Sequence, residues 1–252
     1  MHPIIARLGP ITIYSYGFML ALGFIVGSLL AARQAARFNI SQDKIINLSL
    51  VILISGVIGA RVLYVLLNLK DYVLNPLEII MVTRGGLVFY GGAIFAFLAS
   101  LIYMKRAGMS VLDTADLVSP YIALGHSIGR LGCLLNGCCF GKPTSSQFGI
   151  VFQDGIVRIP TQVYSSLSLL FLYMFLRVCL RCRAFKGQVL FLYLIFYSTG
   201  RVFMENFRGD SPPVIFGLTF SQIVSIAIFV IGVAGYFYGA GQARHKGGQV
   251  RH

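Results

Sequence analysis

Long apolar runs, separated by short polar and mostly basic segments, set the pattern of this chain. A helix needs about 20 mainly apolar residues to cross a bilayer. Runs close to that length cover residues 14–32, 46–69, 87–104, 113–131, 161–180, 188–205 and 215–239. The pattern predicts an all-α integral membrane protein, a bundle of about seven transmembrane helices. Span 113–131 is the most polar of them, with Asp113, Asp116, Pro120, His126 and Arg130, and is expected to be tilted, broken or shielded by its neighbours. The pattern breaks most sharply at its end. Gly125–Thr144, GHSIGRLGCLLNGCCFGKPT, sets an arginine, an asparagine, three cysteines and five glycines where leucine and valine would be ordinary. Polar groups at membrane depth are costly unless they build a site.

Composition sharpens the membrane reading: 57% of the residues are hydrophobic and 12% charged, against about 25% charged in an average soluble domain. The mean hydropathy is +0.80. The 252 residues suffice for a single transmembrane domain, 1–252, with no separate soluble domain. The net charge of +13 is accounted for by its distribution. With seven spans, one set of loops carries Arg33, Arg37, Lys44, Lys105, Arg106, Arg177, Arg181, Arg183, Lys186, Arg244, Lys246 and Arg251 beside the single acid Asp43. The opposite loops mix fewer basic residues with Asp71, Glu78, Asp154, Glu205 and Asp210. The first set is therefore expected in the cytoplasm, with the N-terminus outside and the C-terminus inside. Residues 239–252 then form a flexible basic tail near anionic headgroups. No nucleic-acid partner is needed to explain the charge. The N-terminus lacks the charged start and small-residue cleavage site of a cleaved signal peptide.

Candidate chemistry concentrates at the outer ends of the spans. Arg130 follows His126 by four positions, so both lie on one helical face. Tyr193, Tyr197, Arg201 and Glu205 recur every four residues and give the sixth span a polar stripe. Two arginines converging from different helices suit an anion, above all a phosphate, because a planar guanidinium binds two oxygens in parallel. In a membrane the abundant phosphate is a lipid headgroup. Arg61, in GVIGARVLYVLLN, is either a third such cation or a strut bonded to helix carbonyls. In TRGGLVFYGG, Thr83–Gly92, paired glycines allow a re-entrant turn or close helix packing around Tyr90. Cys133, Cys138 and Cys139 can form a disulfide, pack, or offer reactive thiols. Their Cys-x4-Cys-Cys spacing is not a usual zinc pattern and no histidine pair accompanies it, so neither a metal nor a cofactor is expected.

Gly129–Gly132 with Asn136 and Gly141 resembles the signature of the prolipoprotein diacylglyceryl transferases, and the likeness extends along nearly the whole chain. YSYGFMLALGF around Tyr16, IGARVLYVLLN around Arg61, TRGGLVFYGG, RIPTQVYSSL with Gln162, YSTGRVFMENFRGD and the last span's LTFSQIVSIAIFVIGV all resemble that family, in the same order. The resemblance implies a bacterial inner-membrane enzyme with its site toward the outer face. It would move the diacylglyceryl group of phosphatidylglycerol onto the lipobox cysteine of a prolipoprotein signal peptide. Arg130 and Arg201 match functional arginines of the family, and Tyr16, Gly141, Tyr197 and Glu205 match positions that it uses. Tyr90, Arg130, Arg201 and Glu205 are the implied catalytic residues. Tyr16, Arg61, Cys133, Asn136, Cys138, Gly141, Gln162 and Tyr197 are the implied substrate contacts. The chain departs from the family pattern at Tyr90, where the family has His in GG-x-x-x-His-GG, and at Cys133 and Cys138, where it has Asn and Glu. Two other readings stay open: a divergent member lipidating another thiol or working through Cys133 or Cys138, and a phospholipid-binding carrier without chemistry.

Overall fold

Long helices form where the apolar runs lie. In the computed structural model, which describes residues 2–8, 11–72, 76–79, 86–152, 154–209, 212–214 and 216–249, they are α1 (Ser15–Gln34), α2 (Gln42–Leu67), α4 (Phe89–Arg106), α5 (Val111–Asn136), α6 (Thr161–Arg181), α7 (Gln188–Glu205) and α8 (Phe220–Gln249). A four-residue helix, α3 (Leu69–Tyr72), follows α2. The strands are short. β1 (Ile4–Leu8) and β2 (Ile11–Tyr14) form an antiparallel hairpin, and β3 (Ile150–Val151) pairs antiparallel with β4 (Val157–Arg158). Among the described residues, Ser15–Phe38, Gln42–Leu67, Thr161–Arg181 and Phe220–Arg244 are long and apolar enough to cross a membrane by length and composition. The other long helices are diluted by charge: Lys105 and Arg106 end α4, α5 contains Asp113, Asp116 and Arg130, and α7 contains Arg201 and Glu205.

The chain divides into two compact units, residues 1–31 with 115–252, and residues 32–114. In the second unit α2 and α4 come together where Gly59 and Gly91 leave room: a Cβ on Gly59 would stand 2.6 Å from the Gly91 carbonyl oxygen. In the first unit α1 meets α5 in the same way, because a Cβ on Gly23 would stand 2.6 Å from the Gly125 carbonyl oxygen. Backbones this close gain dispersion contacts, which drive helix association where the surrounding lipid is as apolar as leucine. Many large apolar side chains point outward, Phe97, Phe171, Val178 and Phe237 among them, each more than half exposed.

The polar span is shielded rather than broken. Helix α5 runs through Pro120 without interruption. Asp116, fully buried, accepts from Arg183 Nη1 at 2.9 Å and from the backbone N–H groups of Gly187 and Leu190 at 2.8 and 2.9 Å. Gly187 precedes α7 with φ 90°. A carboxylate from α5 thus satisfies free N–H donors at the start of α7 and ties the two helices together.

Candidate active site

The site begins where α5 ends. Gly137, at φ 74°, adopts the left-handed conformation that glycine accepts without steric cost. Its N–H returns to the Leu134 carbonyl at 3.1 Å, and the N–H of Cys138 returns to the Cys133 carbonyl at 3.1 Å. These two bonds make a Schellman cap, a motif that brings the residues at its first and last positions into contact. Here those residues are Cys133 and Cys138. Cys139 follows with φ 60°. The turn is fixed to the start of α6: Gln162 Nε2 donates to the Cys138 carbonyl at 2.6 Å, and Thr161 Oγ1 to the Cys139 carbonyl at 2.8 Å. Gln162 is 1% exposed and its Oε1 has no partner among the described residues.

The chain then runs extended through Phe140–Lys142, bonded on both sides. Gly141 N–H donates to Ile159 at 3.0 Å, and Lys142 N–H donates to Phe207 at 2.9 Å. Gly141 bridges Arg208 and Pro143 bridges Arg158. A Cβ on Gly141 would meet the Ile159 carbonyl oxygen at 2.6 Å, so only glycine fits. This small platform joins the ends of α5 and α7 to the start of α6. At its rim Arg158 donates to Asp154 at 2.6 Å, which holds that exposed carboxyl below the usual carboxylate range, and lies 4.4 Å from the centre of the Phe140 ring.

A cavity of about 310 Å³ opens beside the platform. Its polar lining comes from His126 and Arg130 on α5, Tyr197 and Arg201 on α7, and Ser165 and Ser168 on α6, while Leu169, Leu172, Phe171, Phe175 and Phe196 supply apolar wall. The α5 and α7 pairs are each spaced by four residues, so two helical ladders face the same space. The His126 ring lies 5.5 Å from that of Tyr197, which stacks on Tyr193 at 5.5 Å. Phe171, Phe175 and Phe196 are exposed as well as lining, so the apolar side of the cavity is open to the surroundings of the bundle.

The two lining arginines differ in what holds them. Arg201 is braced: Nη1 is 2.6 Å from Glu205 Oε2, and Nη2 donates to Ser221 at 2.8 Å. Glu205, 5% exposed, also accepts from Thr219 at 3.0 Å and lies 3.7 Å from Arg208. Arg130 has no hydrogen bond or ion pair among the described residues, and its Nε is buried. A buried N–H donor without an acceptor is costly unless a ligand or water supplies one.

The structure thus gathers Arg130, Tyr197 and Arg201 at the cavity with Glu205 behind, and Cys133, Asn136, Cys138, Gly141 and Gln162 on the adjoining turn and platform. Tyr16 starts α1 against the same turn, its Cα 3.3 Å from where a Cβ on Gly132 would lie. His126 is a lining residue that the family signature left out, although its spacing from Arg130 put it on the same face. Arg61 and Tyr90 belong to the other unit. Arg61 is 8% exposed and bonds the carbonyls of Glu78, Ile79 and Gly86 at 2.5, 2.9 and 3.1 Å, so it is a strut, bonded to two carbonyls of the short 3-10 helix Pro76–Ile79 and to one just before α4. Tyr90 is the second residue of α4 and is half-exposed, its ring edge-on to Phe89. Thr83–Gly85 and Asp210, which belong to the family-like segments, lie outside the described residues. All five cysteines are free.

Comparison with known proteins gives a consistent picture. The sequence profile described as prolipoprotein diacylglyceryl transferase matches residues 3–238. A phosphatidylglycerol–prolipoprotein diacylglyceryl transferase of Clostridium tetani is 36% identical over 239 residues, covering 92% of this chain and 96% of the relative. A second protein of that name from Clostridium perfringens is 35% identical, covering 94% of each chain. One from Bacillus cereus is 35% identical over 90% of this chain and 88% of its own.

Proposed function

This chain belongs to the prolipoprotein diacylglyceryl transferase family, and from that premise we propose that it transfers the diacylglyceryl group of phosphatidylglycerol to the cysteine thiol of a prolipoprotein signal peptide, the first step of lipoprotein maturation. The observation that carries the reading is Arg130, a half-buried arginine whose Nε is buried without a partner among the described residues, in a cavity whose other side is apolar and open. That is the complement of a phospholipid, with phosphate inside and acyl chains outside. The thiolate sulfur attacks the glyceryl carbon that bears the phosphate ester. A C–S bond forms, the C–O bond breaks, and the electron pair leaves on glycerol phosphate. Negative charge grows on the departing phosphate, and preorganised donors there lower the barrier. Arg130 and Arg201 supply them, and Glu205 positions Arg201. His126 carries the imidazole of the lining and accepts the thiol proton, a transfer that the phosphate's negative charge between the guanidiniums favours. Tyr197 orients the headgroup. Tyr16, Asn136, Gly141, Gln162, Cys133 and Cys138 receive the peptide on the turn and platform. No cofactor takes part.

The same reading sets the chain as one membrane domain of seven transmembrane helices in a bacterial inner membrane. Its N-terminus and site face outward, and its basic tail lies at the cytoplasmic headgroups. The test mixes the purified protein with phosphatidylglycerol vesicles and a lipobox peptide and follows the peptide mass. A diacylglyceryl adduct is expected on the peptide cysteine, its formation strongly slowed by Arg130→Ala. Lipid binding without an adduct would make the chain a carrier, and an adduct retained on Cys133 or Cys138 would show a relay through the protein's own thiol.

A further inference from the structure

The cluster of Cys133, Cys138 and Cys139 is more ordered than packing requires. Their three Sγ atoms all lie within 4.8 Å of one another, with Cys133 buried and the other two half-buried. Nothing in the local backbone is free to drift. The Schellman cap sets Cys133 against Cys138, Cys139 sits at φ 60°, and the carbonyls of Cys138 and Cys139 are held by Gln162 and Thr161. Three thiols are therefore presented on a turn built before any ligand arrives, so binding pays little ordering cost.

The spacing separates the possible uses of such a triad. A disulfide requires about 2.05 Å between sulfurs, and it would join two of the three and leave the third without a role. Three sulfurs on one cation at about 2.3 Å each stand roughly 3.8 Å apart, so the triad need contract by no more than about 1 Å. Soft thiolates select thiophilic ions, and Cu(I) and Zn(II) are the common ones. We propose that Cys133, Cys138 and Cys139 bind one thiophilic cation, Cu(I) or Zn(II), as a trithiolate. Each thiol releases its proton to solvent as its sulfur binds. Cu(I) is satisfied by the three sulfurs in a plane, whereas Zn(II) takes a water as its fourth ligand. The complex carries net negative charge one helical turn beyond Arg130, and the chain's strongly positive balance opposes no part of that. Bound, the cation clips the end of α5 to the platform that begins α6.

The test uses the full chain in detergent, reduced and stripped of metal, with Cys179→Ser and Cys182→Ser removing the remaining thiols. Cd(II) is the probe, read by its sulfur-to-metal charge-transfer band. The expected result is a band that saturates at one Cd(II) per chain and protects Cys138 from maleimide. Zn(II) or Cu(I) should then displace the Cd(II). Cys138→Ser, a near-isosteric change at a half-exposed position, should abolish band and protection together, as should Cys133→Ser. Absence of a band at stoichiometric Cd(II), an unchanged band in Cys138→Ser, or failure of both Zn(II) and Cu(I) to displace Cd(II) would each overturn the proposal. So would a disulfide within the triad in protein alkylated at the moment of cell lysis.

Discussion

Replacing Glu205 with Gln tests whether the second lining arginine works only while it is braced. The carboxylate is 1% exposed in its side chain and stands 2.6 Å from Arg201 Nη1. Thr219 donates to its other oxygen at 3.0 Å. Glutamine keeps the shape and one acceptor oxygen but removes the charge. Breaking a buried ion pair by removing one partner costs about 3–5 kcal/mol. A hydrogen bond from Arg201 to the amide oxygen recovers about 1.5–3 kcal/mol, so a net penalty of roughly 2 kcal/mol falls on the position of the guanidinium. A displacement on the order of 1 Å costs about 100-fold in rate, equivalent to about 2.7 kcal/mol of barrier. The expected outcome is a fall of that order in kcat/KM for phosphatidylglycerol, read as initial rates of diacylglyceryl-peptide formation, with Glu205→Asp intermediate. If Glu205 acts through Arg201, then Glu205→Gln adds much less on an Arg201→Lys background than alone, because contacting residues fail to be additive. Turnover within about two-fold of wild type, or effects that multiply fully in the double variant, would refute the reasoning.

Three further outcomes follow from the geometry. Gly141→Ala places a methyl 2.6 Å from the Ile159 carbonyl oxygen, an overpacking that costs about 1–3 kcal/mol; thermal midpoint and turnover should fall together, and an unchanged midpoint counts against the platform. Asp116→Ala removes the acceptor that Arg183 Nη1 and the N–H groups of Gly187 and Leu190 share and should destabilise by about 3–5 kcal/mol, with turnover per folded molecule unchanged; a loss of turnover while the fold persists would move Asp116 into the site. His126→Gln should lower turnover by about 100-fold or more, as expected for a proton acceptor, and should change the pH–rate profile. A profile that superimposes on wild type would remove His126 from that role.

The helices were legible because each apolar run is long and its period clear, and α6 and α7 begin at the residues where the hydropathy pattern starts. Legibility ended where one group's environment is made by distant parts of the chain. Nothing local to Asp116 announces that Arg183 and two backbone N–H groups at the start of α7, about seventy positions on, will meet it, so span 113–131 read as weak when it is supported from outside. The platform was hidden for a similar reason: its pairings join residues near 141, 158 and 208, none with a strand-length pattern. The cysteine triad was partly readable. Asn136–Gly137 after an apolar run is a helix-ending signal, and counting back from Gly137 to the first position of a Schellman cap selects Cys133 as the partner of Cys138. Spacing judged against zinc motifs concealed this, because those motifs assume different backbone turns.

Charge in a span identifies a candidate; its partners decide what the candidate does. Arg61 is the most sequestered arginine of the spans, yet three backbone carbonyls take its donors and Tyr64 and Tyr72 lie within 5.6 Å of its guanidinium carbon, so any anion would have to displace bonds already made. Arg177 donates to the hydroxyls of Tyr121 and Tyr173 at 3.2 Å, a neutral pairing that anchors α5 to α6. Arg183 is neutralised by Asp116. Arg201 is braced by Glu205, which also lies 3.7 Å from Arg208, so a ligand at Arg201 competes with a carboxylate already in place. Arg130 has no acceptor among the described residues. A phosphate gains most where desolvation has already been suffered and no bond must be broken, which ranks Arg130 first, Arg201 second and Arg61 last. Alanine at Arg130 should therefore raise the KM for phosphatidylglycerol as well as lower kcat, since it removes a contact made to the bound lipid and to the departing phosphate alike, whereas alanine at Arg61 should act chiefly through the stability of the α2–α4 unit.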